Sequence, residues 1–474
     1  MKKHNLIGFI LGPILFISTL LLGQNFLGES TPVVATGLLM ITWWVSEAAP
    51  IPATALLPIV LFPLTGVYSI AEATAPYASP IIFLFMGGFM IALGLEKHNL
   101  HKRLALSILK ITGSSGNGVI LGFMASTALL SMWISNTATT VMMLPIAMSV
   151  VSLLSKDGFI DTEKSFALAL MLGIAYSANI GGTMTLIGTP PNVVMAGYLN
   201  QILDYQIGFS EWMYIALPIG IILLIITYLL LTKFLFPNTL NEVEGSSELI
   251  SLELKKLGKL SLEEKLVLMI FLITAIGWIF KPQINTLLGE NLLTDHVTAM
   301  VGGILMFITP VSIKNNIKLL DWNDTQKLPW GILLLFGGGM ALAKALAHVG
   351  VIDQIGKFVA SYQNVDLLLL IAMITIIVLF MTEFMSNVAL VTILIPVIIA
   401  VGQGMNVAPL ILVIPVTIAS SCAFMMPIST PPNAIVYSSG FVGMTQMMKA
   451  GIWLNILSVI ILTLACHYFV PLIF

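Results

Sequence analysis

Charge is what this sequence has least of. Asp, Glu, Lys and Arg make up 9% of its 474 residues, where soluble domains carry roughly 25%, so a water-soluble enzyme is excluded by composition alone. The formal net charge of −2 offers no basic surface for nucleic acid, which is not expected as a partner. Cysteine is nearly missing: Cys422 and Cys466 both lie in apolar segments, so no disulfide framework is expected. The six histidines are scattered. His98 and His101 have helical spacing but no third ligand, so neither a metal centre of that kind nor a nucleophile–base constellation is in view, and the chain is not read as an enzyme.

What fills the chain instead is apolar sequence. Hydrophobic residues reach 58% and mean hydropathy is +1.02. Runs long enough to cross a bilayer, or most of one, recur at 6–22, 215–231, 266–279, 367–381 and 452–465. They do not alternate with period two, as an outer-membrane barrel would. The expected class is an all-α polytopic membrane protein in the cell membrane, with lipid around it. The first residues have a basic end and an apolar core like a signal peptide, but no small-x-small cleavage site follows, so an uncleaved first span is expected. Lys2, Lys3, the EKHNLHKR segment (96–103) and Lys255, Lys256 and Lys259 place the N-terminus on the cytoplasmic side.

One hydrophilic stretch, 238–265, divides the chain into a first half (1–237) and a second half (266–474). It mixes both charges and ends in Ser261-x-x-Glu264, a capping-box pattern. The halves echo each other. Phe85, Gly87, Gly88 and Ala92 match Phe336, Gly338, Gly339 and Ala343 at an offset of 251, as do Ser135-Asn136 with Ser386-Asn387 and Pro145 with Pro396. GTPPN (188–192) and STPPN (429–433) follow at an offset of 241. Apolar residues align by chance in membrane helices, but a glycine pair, Ser-Asn and proline in one register do not. The chain is an internal duplication.

These paired motifs interrupt helices. Proline removes a donor and turns the preceding residue away from helix, so unwinding is expected at 188–191 and 429–432, with Pro191 and Pro432 suited to the first turn of the helix that follows. Asn136-Thr137 is expected to start the helix carrying Pro145, and Asn387-Val388 the one carrying Pro396. Non-helical backbone at membrane depth survives only when buried in protein or lining a wet cavity. Matching interruptions in two halves point to a secondary transporter's binding site. Helix N-termini present free N–H groups and partial positive charge, which suits an anion. Released carbonyls with Ser and Asn oxygens form an uncharged cage suited to Na⁺. Mg²⁺ or Ca²⁺ would call for carboxylates, which the motifs lack.

The stretch ASSCAFMMPISTPPNAIVYSSG (419–440) resembles the signature of the divalent anion:sodium symporter family, carriers of di- and tricarboxylates. SMWISNTATT (131–140), SANIGGTMTLIGTPPN (177–192) and WWVSEAAPIPATALLP (43–58) are also similar to it. The resemblance implies two inverted-topology repeats, each with a re-entrant helical hairpin and a broken helix. It further implies a scaffold plus an elevator-type transport domain, and a homodimer. On matching positions it implies substrate contacts at Ser135, Asn136, Thr137, Thr189, Pro190, Ser386, Asn387, Thr430 and Pro431, with Val388 beside them. One Na⁺ site would fall at Ser131, Ser135, Asn136 and Gly188, and a second at Thr382, Met385, Asn387 and Ser429. The family usually has Thr where Val388 stands, so one hydroxyl is missing, which bears on substrate range or coupling. The expected function is secondary active transport of dicarboxylates of the succinate, malate, fumarate and 2-oxoglutarate class, with Na⁺ as coupling ion and no organic cofactor. The alternatives are Na⁺-independent dicarboxylate exchange and, more distantly, a passive anion channel. Three intramembrane ionisable residues also stand out: Glu383, expected to accept hydrogen bonds from free hairpin N–H groups, with tuning of the cation site or a proton relay as the alternatives, Lys344, expected away from substrate, and Glu47, expected to fix the turn at Pro50 and Pro52.

Overall fold

The computed structural model describes residues 3–154, 161–360 and 366–473; Lys2, one of the residues that set the expected orientation, lies outside them. Among these residues the fold is helical, with a single two-stranded ladder, Pro310–Ser312 against Ile317–Lys318. Among the described residues, seven helices are long and apolar enough to cross a membrane. Leu262–Ile279 and Lys281–Leu288, bent by 80°, make an eighth if read as one span. The protein is a multi-pass membrane protein.

Several apolar helices are too short to cross. Gly116–Ser131 has 16 residues, about 24 Å at 1.5 Å per residue, against a hydrocarbon core of about 30 Å. After a short turn the chain re-enters helix at Asn136–Ser152. Leu367–Met381 and Asn387–Gly404 repeat the arrangement. In both, a serine in extended conformation precedes the asparagine that opens the return helix. Its ψ is 139° at Ser135 and 127° at Ser386.

The broken helices differ from the sequence expectation in where they break. Asp161–Thr183 ends before the gap at 184–189, and Pro190–Leu203 begins with the prolines inside helix. Likewise Pro409–Ser421 ends before 422–430, and Pro431–Ser438 follows. The unwound backbone therefore lies on the N-terminal side of each Pro-Pro and not across 188–191 and 429–432. A first-turn residue needs no N–H donor, and proline's fixed φ suits that position. Each half then closes with a 21-residue helix, Phe209–Leu229 or Met444–Leu464, that runs into a π-helical turn.

The packing crosses between halves. Asn136–Ser152 lies against Pro431–Ser438, and Asn387–Gly404 against Pro190–Leu203. Tyr198 Oη donates to Thr392 O at 2.9 Å across the second of these contacts. Phe85 and its counterpart Phe336 meet edge to face, ring centroids 5.8 Å apart. Asp161–Thr183 is the central pillar. It is buried nearly throughout and touches Gly116–Ser131, Asn136–Ser152, Phe209–Leu229 and Pro431–Ser438.

Outside this core, Ser246–Lys256 forms a surface helix in the hydrophilic segment. Hydrogen bonds from Lys256 and Lys102 hold the Glu253 carboxyl below its ordinary value. The Ser261–Glu264 capping box is formed in both directions, so the last residues of 238–265 are already the first turn of Leu262–Ile279. Arg103 spans from Leu100–Ile111 to this segment, with Nε 2.7 Å from Glu264 Oε1.

The hairpin docks on the pillar because Gly181 has no side chain: a Cβ there would overlap the backbone of Ala128. Gly181→Ala should therefore cost about 2 kcal/mol of stability by overpacking. Gly37→Ala, whose methyl would rest 3.6 Å from Leu342 Cδ1, should be neutral or stabilising. Thermal unfolding of both variants in detergent would separate them, and equal midpoints would contradict the docking role.

Candidate substrate and cation site

The first hairpin tip holds unpaired oxygens. Ser135 Oγ caps its helix, accepting from Ala138 N at 3.1 Å. Ser131 Oγ and Asn136 Oδ1 are buried without a hydrogen-bond partner. The Asn136 side-chain amide rests on Gly182, where a Cβ would come 2.5 Å from Oδ1. Gly188 approaches both Ser131 O and Gly182 O, which would stand 3.0 and 2.5 Å from a Cβ on it. Tip and break therefore meet, and they bring Ser131, Asn136 and Gly188 together with Gly182, which sequence reasoning did not assign. Buried polar oxygens without donors are costly. Uncharged oxygens of this kind fit a monovalent cation.

The second tip has the same positions in a different state. Thr382, 251 residues after Ser131, is buried, and its hydroxyl donates to Asn387 Oδ1 at 2.7 Å and also to Ser420 O. Asn387 Oδ1 is thus paired where Asn136 Oδ1 is not. Ser386 makes no side-chain cap. Ser429 Oγ donates to Met426 O at 2.6 Å. Met385 and Val388 are half-buried and pack against apolar residues. Ser135, Thr137 and Pro431 are exposed, Pro190 is half-buried, and Thr189 and Thr430 are buried.

Two asparagines hold the breaks. Asn192 Nδ2 donates to Thr185 O at 2.8 Å and, less closely, to Gly182 O and Thr183 O. Asn433 Nδ2 donates to Ala423 O, Met426 O and Ser429 Oγ at 3.0–3.2 Å. Asn179, on the first broken helix, reaches Thr430 Oγ1 at 3.1 Å and so buttresses the second. Trp212 Nε1 donates to Thr183 O at 2.9 Å. The Asn that ends each TPPN motif was the available signal for Asn192 and Asn433. Asn179 had no such signal.

The ionisable residues settle as follows. Glu383 accepts from the backbone of Phe424, Met425 and Met426; these donors belong to the second break, not to its own hairpin as expected. Lys344 lies over the Tyr68 ring, 5.5 Å from its centroid, where its charge is stabilised by the ring face. Glu47 ends Thr31–Ser46 in a left-handed conformation, and its carbonyl accepts from Asn5 Nδ2.

Comparison with known proteins shows the family and the fold. The family model described as the sodium:sulfate symporter transmembrane region matches residues 6–474. The sodium-dependent dicarboxylate transporter SdcS of Staphylococcus saprophyticus is 39% identical over 483 residues, covering 99% of this chain and 93% of that protein. SdcS of Staphylococcus aureus USA300 is 39% identical over 476 residues, covering 99% and 92%. Two solved structures share the fold. The YdaH transporter of Alcanivorax borkumensis has TM-score 0.57 and 13% identity, covering 88% of this chain and 90% of that one. The efflux pump MtrF of Neisseria gonorrhoeae has TM-score 0.57 and 12% identity, covering 90% and 96%.

Asn192→Ala would leave three carbonyls of the first break without their shared donor. The expected loss is about 1–3 kcal/mol, read as a lower unfolding midpoint and faster proteolysis near 184–189. An unchanged midpoint would remove Asn192 from this role.

Proposed function

We propose, from the premise that this chain belongs to the sodium:sulfate symporter family, that it carries C4-type dicarboxylates such as succinate, malate and fumarate across the membrane together with Na⁺. One observation carries the reading: Ser131 Oγ, at the end of Gly116–Ser131, and Asn136 Oδ1, at the start of the return helix, are buried and unpartnered, and the first-turn N–H groups of that return helix, Ala138 apart, have no intrahelical acceptor. Cation-binding oxygen and anion-binding amide then share one residue. A dianion seated on the N-terminus is favoured by its partial positive charge, and a Na⁺ beside it offsets the remaining repulsion. Binding of each would favour binding of the other, which is the requirement for coupled transport.

In this reading Ser135, Asn136, Thr137, Thr189 and Pro190 meet one end of the substrate, and Ser386, Asn387, Val388, Thr430 and Pro431 the other. The crossed packing of return helices on post-break helices supports joining both sets in one site. Na⁺ would take Ser131, Ser135, Asn136 and Gly188 in the first half, and Thr382, Met385, Asn387 and Ser429 in the second. The name borne by the SdcS relatives favours Na⁺ symport over exchange.

We further infer that the halves are inverted repeats about a pseudo-twofold axis near the Phe85–Phe336 contact. Hairpins and broken helices would move as one body against a scaffold, elevator fashion, within a homodimer, with the N-terminus cytoplasmic.

The test is labelled-succinate uptake into liposomes, with and without a Na⁺ gradient and with or without internal dicarboxylate. Uptake should require Na⁺ and not internal substrate. Uptake that ignores Na⁺ but demands internal dicarboxylate would identify an exchanger, and unsaturable current a channel. Asn136→Ala and Asn387→Ala should each lower uptake at least roughly a hundredfold, as loss of a buried, shared ligand implies, in protein that remains folded. Wild-type uptake by either would refute the placement.

A further inference from the structure

The second half contains one element that the first lacks, a buried carboxylate at its hairpin tip. Glu383 is 1% exposed. Its Oε1 accepts from Phe424 N at 2.8 Å, Met425 N at 2.9 Å and Asn455 Nδ2 at 3.0 Å. Its Oε2 accepts from Met425 N at 3.0 Å and Met426 N at 3.1 Å. Successive backbone amides turned toward one anion form a nest, here filled by the protein's own side chain. In the first half, 251 residues earlier, the position is Met132. Its carbonyl accepts the Thr185 hydroxyl instead. One break is tied to its tip by a hydroxyl, the other by a carboxyl group.

This saturation decides what Glu383 can do. Five N–H contacts surround two oxygens, so little lone-pair capacity remains for a cation, which would also face the positive ends of the donors. The same amides are closed to a substrate carboxylate. The carboxylate's influence runs instead through the groups it holds. Met426 donates to Glu383, and its carbonyl accepts from Ser429 Oγ and Asn433 Nδ2. On the other side Glu383 follows Thr382, whose hydroxyl reaches Asn387 and Ser420. The Glu383 side chain thus ties the 424–426 backbone to the residue that follows Thr382 in the chain, and Asn455 anchors it to the helix Met444–Leu464.

We propose that Glu383 is a positioning residue for the second Na⁺ site: a resident anion that fixes 424–429 against Thr382 and so sets Na⁺ affinity in preference to substrate affinity. This rests on the Na⁺-coupled reading above. Glu383→Gln keeps the shape, removes the charge and turns an NH₂ group toward backbone donors. Full-length protein in liposomes is assayed for the Na⁺ dependence of succinate uptake, beside hydrogen–deuterium exchange at residues 424–426. The Na⁺ concentration for half-maximal uptake should rise roughly tenfold, the lower range for loss of an outer ligand partner, while KM for succinate at saturating Na⁺ stays within about twofold, as expected where ground-state substrate contacts are intact. Glu383→Asp, which keeps the charge on a shorter arm, should recover part of the Na⁺ affinity. Asn455→Ala should shift Na⁺ activation in the same direction by less, and it carries the test if Glu383→Gln does not fold. Exchange at 424–426 should accelerate in each variant. Faster exchange with an unchanged Na⁺ curve overturns the proposal alone. Wild-type uptake indifferent to Na⁺ overturns the parent reading and this proposal with it.

Discussion

Everything near the centre of this protein answers to one constraint: backbone amides and carbonyls released from a helix inside an apolar body must find partners. Two broken helices release them, and the partners are few and polar. Asn192 and Trp212 serve the first break, and Asn433, Asn179 and Glu383 the second. Some side-chain oxygens are left over, among them Ser131 Oγ and Asn136 Oδ1 at the first tip and Asn192 Oδ1 and Ser421 Oγ at the breaks. The proposed cation site draws on the pair at the first tip.

The two halves are alike in architecture and unlike in detail. Helix starts at Asn136 and Asn387, and at Pro190 and Pro431, keep the offsets of the sequence motifs. Yet the first tip is open where the second is internally bonded through Thr382 and Asn387. The first break is held by neutral side chains alone, and the second by Asn433 and Asn179 together with Glu383. The matching motifs are built alike, and the differences give each tip and break its own set of hydrogen bonds.

Much of this was legible in the sequence, because its signals are local. Long apolar runs located the spans, motif pairs at offsets of 251 and 241 exposed the likeness of the halves, and Ser261-x-x-Glu264 marked a helix start that the structure forms. Break positions were displaced by a few residues because proline acts in two ways: it ends the preceding helix and also begins the next, and the second effect prevails at Pro190 and Pro431. The donors to Glu383 were misplaced because they lie 41 to 43 residues away, beyond any local pattern. Asn179 was invisible for the same reason. A lone polar residue in an apolar helix names no partner until the fold supplies one.

The crossed packing has a consequence for how the protein is made. The return helix of the first hairpin rests on Pro431–Ser438, and Asn179 on Thr430, segments that emerge from the ribosome hundreds of residues later. The first tip can meet its own break early, since Ser131, Asn136, Gly182 and Gly188 all lie in the first half, but Asn179 and the return helix gain these partners only when the chain is nearly all synthesised.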